Sequence, residues 1–271
     1  MASFAILDYA GAMEPISASR SRARPTVGVL FALVALAGCD LVMPVPPANP
    51  RAEIVKTLRE AATLSQQSSD YSGAVNFYRN LYERDPADLE AAAGYVRNLR
   101  YLGAHAQAIE VAIDVLKRAP DQPAIVAELG KAQLAAGQGL TALDTLARAI
   151  ELDPKDWRAR SALGVGFDLM GNHARAQQTY EAALAIAANE LSLVNNLALS
   201  RALGGDIEGA IARLEAVVQT PRASAHVRQN LALLHAIQGN LARTEALLRR
   251  DLPPDVVQSN LAYYRALAPA R

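Results

Sequence analysis

The chain has one cysteine, Cys39, among its 271 residues. An internal disulfide needs two, so no covalent cross-link holds this fold together. Aromatic residues make up only 5% of the sequence, while alanine is abundant. That balance favours closely packed helices over a β-sandwich. There is no excess of either charge, with 27 Lys and Arg against 27 Asp and Glu. A balanced surface leaves no electrostatic footprint for nucleic acid. Catalytic motifs are missing too: there is no HExxH, no GxSxG and no glycine loop ending in Lys-Ser or Lys-Thr. Gly130-Lys131 is followed by Ala-Gln and falls inside a predicted helix. These absences point to a non-enzymatic protein with no cofactor and no metal.

What is present begins with the setting of that one thiol. Arg20, Arg22 and Arg24 form a basic region, and Val27 to Ala37, "VGVLFALVALA", is an apolar run of eleven residues. It is too short to span a bilayer comfortably and suits the apolar core of a signal peptide. Ala37 and Gly38 precede Cys39. Leu36-Ala37-Gly38-Cys39 resembles the bacterial lipobox, where a lipoprotein signal is cleaved and the cysteine acylated. Residues 1–38 are therefore expected to be a lipoprotein signal peptide, with Met13 as an alternative start that would give a signal of ordinary length. Residues 39–51 would be the lipidated Cys39 followed by a tether rich in proline (Pro44, Pro46, Pro47, Pro50). One acyl chain binds membrane only marginally, whereas two or more hold stably. Removing residues 1–38 would leave a net charge near −1.

The rest of the chain repeats. Gly103, Gly137, Gly171, Gly205 and Gly239 lie 34 residues apart, and Ala74, Ala108, Ala142, Ala176 and Ala210 keep the same step. So do Pro86, Pro120 and Pro154, and Leu129, Leu163, Leu197 and Leu231. This is the tetratricopeptide repeat period. The expected fold is an all-α solenoid, a right-handed superhelix of helix pairs, with six units over residues 52–258: 55–88, 89–122, 123–156, 157–190, 191–224 and 225–258. Residues 259–271 are read as a capping helix with Tyr263 and Tyr264 near its covered edge.

Each recurring residue has a mechanical role. The glycines should end the first helix of each pair in a left-handed conformation. Gly164 and Ala176 are small and let two helices cross closely, with Leu163, Phe167 and Tyr180 filling the space around them. The prolines stop each unit. The pattern weakens at the ends: Ser69 replaces the first glycine, Ala61 the first leucine, and Thr244 the last alanine. Terminal units of a solenoid must meet water on one face.

A solenoid of this kind offers a groove. The first helices of successive pairs would line its concave side, contributing Arg97, Arg100 and Tyr101, then Lys131. Further along come Arg158, Ser161, Val165, Asp168 and Leu169, then Asn195 and Leu199, then Gln229 and Leu233. The mixture suits an extended peptide or a helix laid in the groove. Asn196 and Asn230 recur in register. They would hydrogen-bond a partner's backbone, or they are residues of the repeat's own packing; the sequence weighs the two evenly. His105 and His173 occupy equivalent places two residues after a turn glycine, where packing at a helix start explains them, and His226 and His235 read the same way. Glu110 and Asp114 read as exposed helix charges.

A narrower resemblance lies in the last third. Val227 to Leu233, "VRQNLAL", followed by Asp251-Leu252-Pro253, is similar to the TadD-like repeat lipoproteins of Tad (Flp, tight adherence) pilus assembly. The likeness covers the lipobox, the repeats and the C-terminal units. It implies a non-enzymatic assembly factor on the periplasmic face of the outer membrane, lipid-anchored, binding a protein partner that would be the pilus secretin. In enteric bacteria an aspartate after the lipidated cysteine, here Asp40, favours the inner membrane, so that site stays open as well. A lipoprotein adaptor for cell-wall hydrolases or outer-membrane assembly would share the same bulk features.

Overall fold

The computed structural model describes residues 50–267. Among these there are thirteen helices and no strand. The expected signal peptide, Cys39 and all but the last two residues of the expected tether lie outside the described residues. Residues 50 and 51, read from sequence as tether, already belong to the first helix.

The helices pair as the period requires. They are α1 (Pro50–Gln67) with α2 (Tyr71–Arg84), α3 (Leu89–Tyr101) with α4 (His105–Arg118), and α5 (Pro123–Ala135) with α6 (Gly139–Leu152). Next come α7 (Trp157–Leu169) with α8 (His173–Ile186), and α9 (Leu191–Leu203) with α10 (Ile207–Val218). The last pair, α11 (Ala225–Ile237) with α12 (Leu241–Leu248), is followed by α13 (Pro254–Leu267). First helices begin at 89, 123, 157, 191 and 225, at the repeat's own step.

Local chemistry sets these boundaries. Asp88 and Asp156 cap α3 and α7 by accepting from the amides of Ala91 and Ala159 at 2.9 and 3.0 Å. Such caps satisfy amides that the first helical turn leaves unpaired. At the other end, Gly103, Gly137, Gly171, Gly205 and Gly239 have φ of 77°, 76°, 74°, 97° and 83°. In each turn the reversal is closed by two backbone bonds. At Gly171 these are Gly171 N–H to Asp168 O at 2.9 Å and Asn172 N–H to Phe167 O at 2.8 Å. This is the Schellman closure, which needs a left-handed residue after the last helical turn. Ser69 adopts the same conformation, φ 59°, and closes α1 the same way through Asp70 N–H to Ser65 O at 2.8 Å.

Packing follows from the small residues. Ala74, Ala108, Ala142, Ala176 and Ala210 are all fully buried. Thr244, their counterpart in the last pair, is also fully buried, and its hydroxyl donates to the carbonyls of Ala232 and Asn240 at 3.1 and 3.0 Å. The substitution is tolerated because the hydroxyl has acceptors. A Cβ on Gly164 would lie 2.6 Å from the Tyr180 ring, so this crossing requires glycine. First helices also pack on the first helices of neighbouring units from α3 through to α13. That second row of contacts sets the first helices side by side along one face of the stack, the face expected to be concave in a solenoid of helix pairs.

The C-terminal end differs from expectation. The closing helix begins at Pro254, inside the sixth predicted unit, and α12 is short. Val257, Leu261 and Tyr264 of α13 are buried, but Tyr263 is 57% exposed. Positions 257, 261 and 264 share one helical face and 263 does not, so only one of the two tyrosines is at the covered edge.

Candidate functional site

The inner surface of α3, α5 and α7 is basic and aromatic. Arg97 and Lys131 occupy one repeat position, 34 residues apart, and project from adjacent first helices. Between them sits Glu128 on α5, whose side chain is only 4% exposed. Its carboxylate accepts from Arg97 Nε at 3.2 Å and Lys131 Nζ at 3.0 Å, and Arg100 approaches to 3.7 Å. Burial alone would raise the Glu128 carboxyl; Lys131, Arg97 and Arg100 together outweigh it and hold it below its ordinary value. A buried carboxylate otherwise neutralises or finds partners.

Aromatic rings frame this cluster. The Arg100 guanidinium lies 4.3 Å from the centre of the Tyr101 ring, and Tyr101 stacks on Tyr71 at 4.8 Å. Across the groove Arg158 lies over Trp157 at 4.3 Å. These contacts hold flat, charged side chains in place at little entropic cost. Together with Gln66, Lys155 and Ser161 they bound an open groove of about 810 Å³.

Farther along, the amides behave differently. Asn196 Nδ2 donates to Ser161 Oγ at 3.3 Å, and Asn230 Nδ2 donates to Asn195 Oδ1 at 2.9 Å. These are the same contact one unit apart, a rung between successive first helices. Asn195 Nδ2 reaches Asn196 Oδ1 at 3.5 Å. Asn230 is fully buried, and Asn195 and Gln229 are 3% and 8% exposed. Leu199 and Leu233, expected on the groove wall, are buried as well. Of the two readings of the asparagines, packing describes what Asn230 does here: its amide is used inside the stack. Asn196 stays half-buried at the groove's edge.

Asp168, another residue expected to face the groove, is 5% exposed. It accepts from His173 Nδ1 at 2.9 Å, Tyr180 OH at 3.2 Å and Ser200 Oγ at 2.8 Å, tying α7, α8 and α9 together. Burial pushes its carboxyl up, against those hydrogen bonds. His235 likewise meets a carboxylate, Glu215, at 3.1 Å, which Arg243 also grips. Both histidines pair within the fold. Among the described residues no three His, Cys, Asp or Glu side chains gather as metal ligands.

Of the residues singled out from sequence, the fold brings together Arg97, Arg100, Tyr101 and Lys131. It places Asn195, Asn196, Gln229 and Asn230 at the other end of the groove, largely enclosed. Cys39 lies outside the described residues. Sequence reasoning missed Glu128, Lys155 and Trp157. Glu128 had a signal: it holds the repeat position of Asn196 and Asn230, respectively 68 and 102 residues later.

The tetratricopeptide repeat family model matches residues 66–129 and 99–164. A thermophilic tetratricopeptide-repeat protein of Thermus thermophilus superposes with a TM-score of 0.62 at 19% identity, covering 66% of this chain and 98% of its own. Pseudomonas aeruginosa pilF superposes with a TM-score of 0.58 at 17% identity, covering 79% and 99%. At such identities the likeness is one of fold. No curated protein matches the chain in sequence. Residues 66–164 thus carry the tetratricopeptide repeat, and the fold is the one that tetratricopeptide-repeat proteins share, a fold typical of non-catalytic protein-binding scaffolds.

Proposed function

We propose that this protein is a membrane-anchored assembly factor of Tad pilus biogenesis that binds a protein partner, the pilus secretin, in its concave groove. The observation that carries the binding role is the groove of α3, α5 and α7, where Arg97, Arg100, Tyr101 and Lys131 converge with Trp157 and Arg158. Rigid aromatic and arginine side chains on a fixed scaffold are the residue types that dominate protein recognition energetics. The pilus assignment is supported by "VRQNLAL" with Asp251-Leu252-Pro253, and the anchor by the order of basic region, apolar run and lipobox. In this reading acylated Cys39 holds the solenoid at the periplasmic face of the outer membrane, and the inner membrane is the alternative because of Asp40.

The test is a photo-crosslinking amino acid placed at Tyr101 in the native cell. Crosslinks to the secretin, with loss of secretin multimers and surface pili on gene deletion, support the reading. A deletion strain with normal pili and secretin multimers refutes it, and crosslinks to a cell-wall hydrolase would favour the adaptor instead.

A further inference from the structure

Five cations line the groove of α3, α5 and α7: Arg97, Arg100, Lys131, Lys155 and Arg158. Three of them converge on one carboxylate, Glu128. That cluster is left with more positive charge than its single anion cancels. It is also incompletely bonded, because Glu128 Oε2 and Arg100 Nε are enclosed with no hydrogen-bond partner. At the far wall, Arg158 rests on Trp157 and pairs with no carboxylate among the described residues. The groove thus has two cationic poles, one occupied by the internal anion Glu128 and the other flanked by Asp153 and Asp156, whose carboxylates accept from the backbone amides of Lys155, Arg158 and Ala159.

We propose that the groove takes an extended acidic segment of a partner protein, and that Glu128 is the resident competitor for it. In the empty groove Glu128 holds Arg97, Arg100 and Lys131 in place. When the partner arrives, its carboxylates share those cations, and a second acidic residue meets Arg158 and Lys155. This rests on the concave groove being the binding surface, and names the chemistry of the partner there. Packed helices lie about 8–10 Å apart, so the poles on α3 and α7 are separated by roughly 16–20 Å. An extended chain covers that in about five or six residues.

A nucleic acid strand fits less well. The Tyr101 and Trp157 rings are each covered by their own neighbouring arginine, so neither is a free platform for a base. Glu128, Asp153 and Asp156 interrupt the cations and would repel a continuous phosphate backbone.

Trp157 is the sole tryptophan of the chain, and its fluorescence reports occupancy of the groove. The purified full chain is titrated with a synthetic ten-residue peptide carrying two glutamates six positions apart, with the same peptide carrying glutamines, and with a ten-nucleotide oligo-dT. The glutamate peptide should bind at least about tenfold tighter than the glutamine peptide at low salt, the worth of one or two charge-assisted hydrogen bonds. Added salt should narrow that gap. Arg158→Gln should weaken the glutamate peptide by about three- to tenfold. Glu128→Gln should strengthen it by a similar factor, because the internal anion no longer competes.

Equal binding of the two peptides, or tighter binding of oligo-dT, overturns the acidic-segment assignment. A folded Glu128→Gln chain that binds no tighter than the parent overturns the competitor role. A Glu128→Gln chain that fails to fold shows the carboxylate to be structural and overturns that role as well, leaving Arg158→Gln to decide acid binding. A secretin crosslink at Tyr101 without any charge dependence would sink this inference while leaving the assembly-factor reading intact.

Discussion

Arg228 and Asp251 form a two-pronged ion pair across 23 residues of sequence, with Nε and Nη2 of the arginine 2.7 and 2.5 Å from the two carboxylate oxygens. The pair is mostly enclosed, with side chains 20% and 12% exposed, and Arg228 Nη1 also donates to Ala223 O at 2.8 Å. It clamps the start of α11 to the link between α12 and α13. It also joins the two short segments, "VRQNLAL" and Asp251-Leu252-Pro253, that carry the resemblance to pilus-assembly lipoproteins. In this fold the two segments are one structural device.

Breaking that clamp should be costly. Arg228→Ala leaves a partly buried carboxylate without its donors and should destabilise by about 1–3 kcal/mol in urea unfolding. Arg228→Lys keeps the charge but loses the fork, and should recover only part of that. An Arg228→Lys chain as stable as the parent would show that charge alone suffices.

The turn residues give a matched pair. Gly171 is left-handed with open space around it, so the cost of Gly171→Val is conformational, about 1–2 kcal/mol. Ser69 already carries that strain, and Ser69→Gly should stabilise α1–α2 by about 0.5–1 kcal/mol after the added freedom of the unfolded chain is subtracted. Thermal melts of the two variants should shift in opposite directions.

Asn230→Ala removes the donor to Asn195 Oδ1 inside the stack. The orphaned acceptor should cost about 1–3 kcal/mol. A melting point equal to the parent's would mean that the rung contributes nothing to cohesion between units.

Acidification should weaken the C-terminal end through His226. Burial lowers its pKa below the ordinary value of 6.5. Between the two values the unfolded chain binds the extra proton, so stability is complete above about pH 6.5 and falls as the pH drops below it. His226→Gln should flatten the stability profile between about pH 7 and pH 5. An unchanged slope in that window would place the titration elsewhere.

Cys39→Ser should leave helical content and melting unchanged and abolish membrane attachment, if the thiol carries lipid as the lipobox implies. Fractionation should find the variant soluble or unprocessed. Variant protein cleaved and membrane-bound like the parent would refute lipidation.

How much of this was legible beforehand follows from what repeats. A 34-residue period carried by Gly103 to Gly239 and Ala74 to Ala210 specifies helix pairs, turn conformations and close crossings, because those depend on residues near each other in one unit. The solenoid, the left-handed glycines and the basic strip of Arg97, Arg100 and Lys131 were all accessible that way. Curvature was not. Whether an inner-face residue meets solvent or the next helix depends on how tightly successive units stack, which is a sum of many contacts between units. That sum buried Asn230, Gln229 and Leu233, brought Ser200 of the next unit onto Asp168, and left a groove open over α3, α5 and α7. Likewise, the sequence marks Glu128 as a charge beside Lys131 on a helix. Only the approach of α3 to α5 makes it the single buried anion among three cations, because its partners Arg97 and Arg100 come from a different unit.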